Sequence, residues 1–436
     1  MLGYLKSHLL FPLFEKHQKR DIRIKINILK NHYTLPRHER EKLMRKQLHH
    51  ILRIAQEHVP YYRELFTSTG FNPEKVLQDA TYLQELPFLN KDIIREQGNR
   101  LLNENYDHTQ LHMRKTGGST GPSVLIYYDQ EALDWTAAVN LYVLEFTGRQ
   151  HWNKEVHLST NFHQKQPFRD RMRERMKCLA MNRVNVYTDA FDDESMKRLF
   201  IKLRRTRPYI IQGHPSTFYA LARYVEKNQR KTKPIMQVIE STGESLDRKK
   251  LNTIEHMLNA TVYNRFGNAE FGVIAHSRED PFSMEIIDYM VHAETFPIQN
   301  DHKEIVLTGL TNEAMPLIRY RTGDLGDLHD DGDRTFLISV RGRIHDIVRI
   351  NNREYPTHYI QDVLDRAGGI EEFQVIQKRD GRITLKLVPS ITIDRSMIER
   401  KVYELFGKSI SIEYTNYEGL VRTGWREKFR YLVKEE

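Results

Sequence analysis

Residues 209–226 read Y-I-I-Q-G-H-P-S-T-F-Y-A-L-A-R-Y-V-E, and this stretch decides the fold. The run Y-I-I-Q is typical of a strand, whereas T-F-Y-A-L-A-R-Y-V-E has the apolar spacing of a helix. Other strand-like runs read V-L-I-Y-Y and E-V-H-L-S, and another helical run reads E-A-L-D-W-T-A-A-V-N-L-Y. Strands that alternate with helices in this way predict an α/β fold of layered sheets and helices.

The chain on either side of this region has a different pattern. The first hundred residues read as helices, because H-E-R-E-K-L-M-R-K-Q-L-H-H-I-L-R-I-A-Q-E-H has apolar residues three or four positions apart. After R-G-R at 341–343, short strand and helix patterns form a small α+β unit. We therefore predict a large N-terminal domain, residues 1–341, and a small C-terminal domain, residues 342–436. Two domains also agree with the length of the chain.

Charge and cysteine content limit the possible partners. The formal net charge of +9 favours anionic partners such as nucleotides, coenzymes, nucleic acid or an acidic membrane surface, and it selects none of them. The single cysteine, Cys178, excludes a disulfide within the chain and a thiolate metal cluster. This usage is typical of a reducing cytoplasm, so we predict a cytoplasmic protein. Cys178 lies in a helical pattern that favours an inert, packed thiol.

The N-terminus leaves two interpretations open. No apolar run approaches the ~20 residues that a membrane-spanning helix needs, and the first twenty residues lack the pattern of a signal peptide. Their apolar residues lie beside Lys16, Lys19 and Arg20, which would allow peripheral contact of a basic N-terminus with the inner membrane. We favour the alternative, a first helix that packs on the body of the protein.

A glycine-rich loop, T-G-G-S-T-G-P-S at 116–123, precedes the strand V-L-I-Y-Y. Consecutive backbone N–H groups in such a loop can form a nest for a phosphate. A P-loop would require G-K-[ST] at the start of a helix, and neither feature is present here. We therefore predict a loop that joins two strands, in which the hydroxyls of Thr116, Ser119 and Thr120 can donate hydrogen bonds to phosphate oxygens.

Further motifs follow this loop in a fixed order. They read S-T-G-E-S-L at 241–246, Y-N-R-F-G-N-A-E at 263–270, R-Y-R-T-G-D-L-G at 319–326, R-G-R-I-H-D-I-V-R at 341–349 and R-T-G-W-R-E-K-F-R at 422–430. The set resembles the adenylate-forming superfamily of acyl-CoA ligases, luciferases and adenylation domains. Within it the chain is most similar to the phenylacetate-CoA ligase branch, and in particular to CapK-type proteins of capsular polysaccharide biosynthesis.

The resemblance implies an ATP- and Mg²⁺-dependent ligase. A carboxylic acid would be activated as an acyl-adenylate, and the acyl group would then pass to CoA or to another nucleophile such as an amine or a sugar. It also implies a C-terminal domain that moves between the two half-reactions, and it suggests a setting in surface-polysaccharide or related biosynthesis. No nucleic acid partner is expected.

The resemblance also assigns roles to individual residues. Those expected to bind ATP or AMP are Thr116, Gly117, Gly118, Ser119, Thr120, Gly121, Gly243, Glu244, Phe266, Gly267, Asn268, Asp324 and Arg343. Glu270 is expected to hold Mg²⁺, which favours oxygen ligands, and Lys428 to stabilise the charge that develops in the transition state. His214 is expected beside the acyl group, and His345 and Asp346 at the hinge between the domains.

Three residues depart from the family pattern: Gly117 replaces a serine, Ala269 a threonine and Glu427 a glycine. They keep open the alternative of a catalytically impaired, basic binding protein. A second alternative is an adenylyltransferase that leaves AMP on a hydroxyl of its small-molecule product. The polar and basic stretch N-F-H-Q-K-Q-P-F at 161–168 argues against phenylacetate as the acid.

Overall fold

The structure is a computed structural model of the whole chain. It describes residues 3, 6–116, 124–159, 168–187, 193–228, 234–298, 302–340, 347–350, 353–357, 360, 363–364, 367–390, 393–407, 410–423 and 428–435. The statements below concern these residues.

Ten helices of the described chain belong to the N-terminal part, and one belongs to the C-terminal part. They are α1 (Phe11–His17), α2 (Ile22–His32), α3 (Arg37–His58), α4 (Pro60–Thr69), α5 (Lys91–Gln97), α6 (Gln130–Tyr142), α7 (Phe168–Ala180), α8 (Asp193–Thr206), α9 (Pro215–Lys227), α10 (Arg248–Leu258) and α11 (Arg395–Phe406). The helices predicted in the first hundred residues and after Y-I-I-Q are confirmed. Asp129, Asp247 and Asp394 cap helices α6, α10 and α11 by accepting a hydrogen bond from a backbone N–H of the first turn.

A mixed sheet of nine strands forms the centre of the N-terminal part. Its strands, in chain order, are β3 (Glu155–Ser159), β4 (Arg183–Tyr187), β5 (Ile210–Gly213), β6 (Val238–Thr242), β7 (Thr261–Asn268), β8 (Gly272–Ser277), β9 (Ser283–Ile286), β13 (Asp327–Asp330) and β14 (Thr335–Ile338). Across the sheet they lie in the order β13-β14-β9-β8-β7-β6-β5-β3-β4. The strands from β4 to β7 run parallel, and those from β7 to β13 run antiparallel.

Smaller sheets complete the molecule. They are the hairpin of β1 (His112–Lys115) and β2 (Leu125–Tyr128), the antiparallel sheet of β10 (Val291–Pro297), β11 (Lys303–Gly309) and β12 (Tyr320–Leu325), the hairpin of β15 (Ile347–Ile350) and β16 (Arg353–Pro356), the sheet of β17 (Ile370–Gln377), β18 (Ile383–Pro389), β19 (Ser411–Tyr414) and β22 (Leu432–Lys434), and the pair of β20 (Arg422–Thr423) and β21 (Lys428–Phe429). The α/β fold with a small α+β unit, as predicted, is confirmed.

The hydrophobic cores divide the chain in a similar way. Two large clusters of buried side chains lie within residues 22–337, one under the N-terminal helices and one between the parallel strands and helices α8 to α10. A separate cluster joins Val348 to Leu432. The predicted domain boundary at residue 342 falls in 341–346, outside the described residues.

Candidate active site

A pocket of about 150 Å³ opens at the carboxyl ends of the parallel strands β6 and β7. Ligands of open α/β sheets commonly bind at this edge. The pocket brings together five of the residues predicted to bind the nucleotide, and residues of both domains line it. The lining consists of Gly243, Glu244, Ser245, Leu246, Lys250, Asn264, Arg265, Phe266, Gly267, Phe282, Met284, Asp324, Val340, Phe429, Arg430 and Tyr431.

The turn after β6 contributes Gly243 and Glu244 to the pocket. Gly243 has a φ of 83°, a left-handed conformation that favours glycine. The Glu244 carboxylate accepts a hydrogen bond from the backbone N–H of Ser216 (3.2 Å) and another from that of Phe429 (3.3 Å). Burial opposes its ionisation, but His214, the Ser216 N–H and Lys250 outweigh this and hold the pKa of Glu244 below its ordinary value. Glu244 thus connects the pocket to the strand that begins with Lys428.

The end of β7 contributes Phe266 and Gly267, at a bulge in the pairing of β7 with β8. A Cβ at position 267 would lie 2.3 Å from the carbonyl oxygen of Gly272, so the close approach of two backbones requires glycine there. Asn268 does not line the pocket, because its Oδ1 accepts a hydrogen bond from the Phe271 N–H (2.9 Å) and closes the turn to β8. This bulge and turn fix where the Phe266 ring enters the pocket.

Asp324 enters the pocket from β12 and is only 7% exposed. The preceding Gly323 has a φ of 75°, and its N–H donates to Oε1 of Glu304 (2.9 Å) on β11. The Thr322 hydroxyl donates to the Ile305 carbonyl (2.8 Å) and accepts from the Asp324 N–H (3.1 Å). The T-G-D motif is therefore a bulge anchored to β11, and it holds the Asp324 carboxylate in a defined position.

Glu270 lies outside this pocket. It is 7% exposed, its Oε1 accepts a hydrogen bond from the Tyr320 hydroxyl (2.9 Å), and Lys91 Nζ lies 4.0 Å away. It lines a second, smaller pocket of about 20 Å³ together with Tyr128 and Thr136. Mg²⁺ is commonly held by one or two carboxylates together with the phosphates of a substrate. The donor chemistry of Glu270 fits that form of binding.

Thr116 closes the base of the glycine-rich loop. Its N–H donates to the Val124 carbonyl (2.9 Å), its Oγ1 accepts from the Val124 N–H (3.0 Å), and the residue is 1% exposed. The prediction that this loop joins two strands is confirmed, because it connects β1 to β2. The other predicted phosphate-binding residues, Gly117, Gly118, Ser119, Thr120 and Gly121, lie outside the described residues, as do Arg343, His345 and Asp346.

His214 also lies outside the pocket lining. Its Nδ1 is 2.8 Å from the carbonyl oxygen of Thr242. Because a carbonyl only accepts, Nδ1 carries the proton in this contact. His214 therefore ties the start of α9 to the end of β6, next to Glu244.

The small domain contributes three consecutive residues that the sequence did not single out: Phe429, Arg430 and Tyr431. For Lys428 the structure describes only the backbone, at the start of β21. Because Lys428 directly precedes Phe429, its backbone lies next to the pocket. The signal that could have identified these residues was their position beside the predicted lysine.

Lys250 is a further residue that sequence reasoning missed. It is 4% exposed, and its Nζ lies 2.7 Å from Oε2 of Glu372 and 2.7 Å from the Tyr431 hydroxyl, both in the small domain. Burial disfavours the charged lysine, but Glu372, Tyr431 and Asp247 outweigh this and raise its pKa well above the ordinary value. Arg223 also pairs with Glu371, and Lys249 Nζ donates to the Ile370 carbonyl (2.9 Å). These contacts hold the two domains together on one side of the pocket.

The two faces of the parallel sheet differ in polarity. One face carries Val156, Ile211, Ile239 and Val262, which pack in the cluster under helices α8 to α10. The opposite face carries a row of polar side chains. The strand register places Asn185, His157, Gln212 and Glu240 side by side, whereas Arg265 lies opposite Thr242 and His276, two residues farther along the strands. We call this row the polar band: Asn185, His157, Gln212, Glu240, Arg265 and His276.

Side-chain contacts join Glu240, Arg265 and His276 of the polar band, and Arg265 reaches the pocket. Glu240 is fully buried, and it contacts His276 Nε2 (3.1 Å) and Arg265 Nη1 (3.2 Å). Arg265 also donates to Asn140 of α6 (3.2 Å) and lines the pocket itself. Burial disfavours the charged carboxylate, but Arg265 and His276 outweigh it and lower the pKa of Glu240. Arg265 thus connects the buried Glu240 and α6 to the pocket.

Other functions receive no support from the described part of the chain. Within it, no three His, Cys, Asp or Glu side chains are grouped so that they could hold a metal ion, and no helix there is long and apolar enough to cross a membrane. Burial, followed by the neighbouring Glu174, raises the pKa of the Cys178 thiol to about 11. This agrees with the predicted inert thiol, because the thiolate is the reactive form.

Known proteins are similar to this chain in fold and, more distantly, in sequence. No protein-family model matches the chain. Protein CapK of Staphylococcus aureus is 21% identical over 435 residues, 95% of each chain. A phenylacetate-coenzyme A ligase of Pseudomonas putida is 26% identical over 375 residues, 80% of each chain. The solved 2-hydroxyisobutyryl-CoA ligase, in its postadenylation state with R3-HIB-AMP, has a TM-score of 0.71 at 19% identity, covering 92% of this chain and 91% of that one.

These likenesses, together with the fold, define the chain as an adenylate-forming ligase. Within that superfamily its sequence is similar to phenylacetate-CoA ligases and to CapK. The same 2-hydroxyisobutyryl-CoA ligase in its thioesterification state gives a TM-score of 0.58.

Proposed function

We propose that the protein activates a carboxylic acid with ATP and then transfers the acyl group to the thiol of CoA. An oxygen of the carboxylate attacks the α-phosphorus of ATP, the bond from that phosphorus to the bridging oxygen breaks, and pyrophosphate leaves. The thiolate of CoA, having lost its proton, then attacks the carbonyl carbon of the acyl-adenylate. The bond from that carbon to the phosphate oxygen breaks, and AMP leaves.

One observation carries this proposal: Gly243, Phe266 and Asp324 come from three distant parts of the sequence and line the same pocket. An aromatic ring, a flexible turn and a buried carboxylate are the groups that a nucleoside requires. Phe266 would stack on the adenine and Asp324 would accept hydrogen bonds from the ribose hydroxyls. The relatives named as CoA ligases support CoA as the acceptor.

Two anions must meet in the first step, so the site must neutralise charge. Lys428 would supply a positive charge between the carboxylate and the α-phosphate, and its position beside Phe429 at the pocket supports this role. Glu270 would hold Mg²⁺, which neutralises charge on the phosphates when it is bound. Thr116 and residues 117–121 would surround the β- and γ-phosphates, and Arg343 would reach the ribose.

The acid itself is proposed to be hydrophilic. Arg265 of the polar band lines the pocket and contacts the buried Glu240 behind it. A phenyl group placed against Arg265 and the neighbouring Asn264 would offer no hydrogen bond to these polar side chains of the pocket wall. Hydroxyl or amino substituents on the acid would instead hydrogen-bond to them. His214 would lie beside this acyl group.

The proposal is tested by ATP–pyrophosphate exchange with a panel of acids. The panel pairs phenylacetate and butyrate with hydroxylated and amino-substituted acids of similar size. We expect exchange with the polar acids to exceed that with phenylacetate at least tenfold. If phenylacetate were the only acid to support exchange, the proposal of a hydrophilic pocket would be wrong. If none of the acids supported exchange, the proposal of a ligase would be wrong.

The assignment of Lys428 requires its own variant. Lys428→Ala should lower exchange at least a hundredfold, whereas Lys434→Ala should leave it unchanged, because Lys434 lies in β22 of the small-domain sheet and outside the pocket lining. If Lys428→Ala catalysed exchange at the normal rate, Lys428 would not stabilise charge in the adenylation step.

Mass spectrometry of the product separates the alternatives predicted from the sequence. An acyl-CoA supports the ligase, and a product that retains AMP identifies an adenylyltransferase. If the protein binds ATP but forms no product, the alternative of a catalytically impaired binding protein is supported. The acceptors other than CoA, an amine or a sugar, and the setting in surface-polysaccharide biosynthesis are proposals that rest on the likeness to CapK.

A further inference from the structure

Helix α7 presents an apolar stripe to solvent. Its large apolar side chains are exposed to an unusual extent: Phe168 69%, Met172 41%, Met176 51% and Leu179 51%. Their spacing of four, four and three residues puts them within an arc of about 80° on a helix that turns 100° per residue. Such a stripe is normally the side by which a surface helix packs on its protein.

The opposite side of α7 makes the contact with the protein body. Oε1 of Glu174 accepts a hydrogen bond from Asn185 Nδ2 of β4 (3.0 Å) and lies 3.5 Å from Cys178 Sγ. Ala180 is the buried residue of the helix. Helix α7 is therefore attached through its acidic, polar side, and its apolar stripe points outward.

Basic side chains border the stripe on both sides. The helix carries five basic residues, Arg169, Arg171, Arg173, Arg175 and Lys177, against the two acids Asp170 and Glu174. On the helical wheel Arg171 and Arg175 lie on one side of the stripe, and Arg169 and Arg173 lie on the other. Both acids lie on the far side. An exposed apolar stripe with a cationic border is the pattern of a helix that lies in a membrane interface.

The N-terminal segment packs against α7 and enlarges this surface. The turn Lys6–Leu10 and helix α1 contact α7, and Lys6 Nζ donates to Asn182 Oδ1 (3.2 Å) just beyond the end of α7. Leu9 and Leu13 of this segment are 54% and 62% exposed. Two segments that are far apart in the sequence thus expose apolar side chains next to each other.

We propose that this surface, formed by α7 and α1, binds the surface of an anionic lipid bilayer. Its apolar side chains would enter the interface, and its arginines would pair with anionic headgroups. A second copy of this chain fits the surface poorly, because like-charged borders would face each other. Nucleic acid would use the arginines but would leave the apolar stripe exposed to water.

Sedimentation with vesicles tests the proposal. The full-length protein is mixed with vesicles of phosphatidylcholine alone, or with 30% phosphatidylglycerol, in low and high salt. We expect binding to the anionic vesicles, little binding to the neutral ones, and weaker binding in high salt. Absence of binding to the anionic vesicles, or equal binding to both, overturns the proposal.

Matched variants localise the contact. Met172→Glu with Met176→Glu should lower binding to anionic vesicles at least tenfold. The control, Leu77→Glu with Tyr403→Glu, adds the same charge at exposed apolar residues elsewhere and should bind as the wild type does. Unchanged binding by the α7 variant overturns the proposal. The loss of a dimer in that variant, without any vesicle binding, would instead identify a second copy as the partner.

The cationic border is tested separately. Arg171→Gln with Arg175→Gln should weaken binding to anionic vesicles by about fivefold per arginine. ATP–pyrophosphate exchange with a soluble acid should be unchanged in all these variants, because none of the substituted residues lines the pocket. This readout keeps loss of membrane binding distinct from loss of the proposed activity.

Discussion

Asp324 is the residue to which a single role is most directly assigned, the recognition of the ribose. Replacement by Asn keeps the shape and removes the charge, and hydrogen bonds to a charged group contribute about 1.5–3 kcal/mol. Asp324→Asn should therefore lower kcat/KM for ATP in the exchange assay by about 10- to 100-fold.

The comparison with 2′-deoxy-ATP makes this test specific. The wild type should prefer ATP to 2′-deoxy-ATP, and Asp324→Asn should lose most of that preference. Asp327→Asn, on the adjacent strand β13 and outside the pocket lining, should behave as the wild type does. If Asp324→Asn retained the full preference for ATP, the carboxylate would not contact the ribose.

Besides its predicted contact with the nucleotide, we expect Glu244 to position Lys428, since its carboxylate accepts a hydrogen bond from the N–H of the next residue, Phe429. Glu244→Gln should slow adenylation by about tenfold, mainly in kcat, because it weakens the placement of β21. Release of CoA thioester from preformed acyl-adenylate should change much less. An equal loss in both half-reactions would indicate a general structural role.

At the scale of elements, the bulge in β7 shows what can and what cannot be predicted from a sequence motif. F-G-N-A-E predicted an aromatic residue at the nucleotide, and Phe266 does line the pocket. Asn268 and Thr116 were predicted to bind nucleotide as well, and their side chains also accept backbone hydrogen bonds that close a turn and the base of a loop. A motif gives the residue type and its order, whereas local hydrogen bonds decide which atoms remain available.

Gly267→Ala tests the bulge. The added methyl would meet the backbone carbonyl of Gly272, which has little freedom to move, and we expect a loss of about 1–3 kcal/mol in the free energy of unfolding. Gly309→Ala is the matched control, since its methyl would meet only the edge of the Phe271 ring at 3.2 Å, and a side chain can shift more easily than a backbone carbonyl. Urea denaturation compares the two variants. Equal stability of the two variants would contradict the requirement for glycine at position 267.

The polar band could be found only after folding. His157, Gln212, Glu240 and Arg265 come from four strands, and nothing in their spacing along the chain indicates that they are neighbours. The parallel register aligns them on one face. The alternation of strands and helices was predictable from local patterns, but the chemistry of a sheet face depends on strand order.

For the whole molecule, the buried pair Lys250–Glu372 fixes the relation between the two domains. Removing one partner of a buried ion pair costs about 3–5 kcal/mol, whereas replacing both by apolar residues of similar size is often nearly neutral. Lys250→Met should therefore be clearly less stable than the wild type, and Lys250→Met with Glu372→Leu should recover most of the loss. Calorimetric unfolding measures both. A double variant as unstable as the single one would contradict the pairing.

Acid should destabilise the whole protein through its buried carboxylates. Burial opposes ionisation of Glu155 and Glu240, but Arg183 beside Glu155 and Arg265 beside Glu240 hold their pKa values below the ordinary 4.5. Their contribution to stability is complete above about pH 4.5 and is lost as the pH falls through the folded-state pKa. Urea midpoints should fall steeply below pH 4. Above that they should fall less steeply below about pH 6.5, because burial lowers the pKa values of His157 and His292. A constant midpoint down to pH 3 would contradict these pKa directions.

The pocket wall that both domains share has a consequence for energetics. Phe429, Arg430 and Tyr431 line the same space as Phe266 and Asp324, so a nucleotide bound there touches both halves of the chain. The two equilibria are linked: if docking of the small domain raises the affinity for the nucleotide by some factor, nucleotide binding raises the docking equilibrium constant by the same factor. Bound ATP would therefore stabilise the docked arrangement of the two domains. Release of AMP at the end of the reaction would remove that stabilisation.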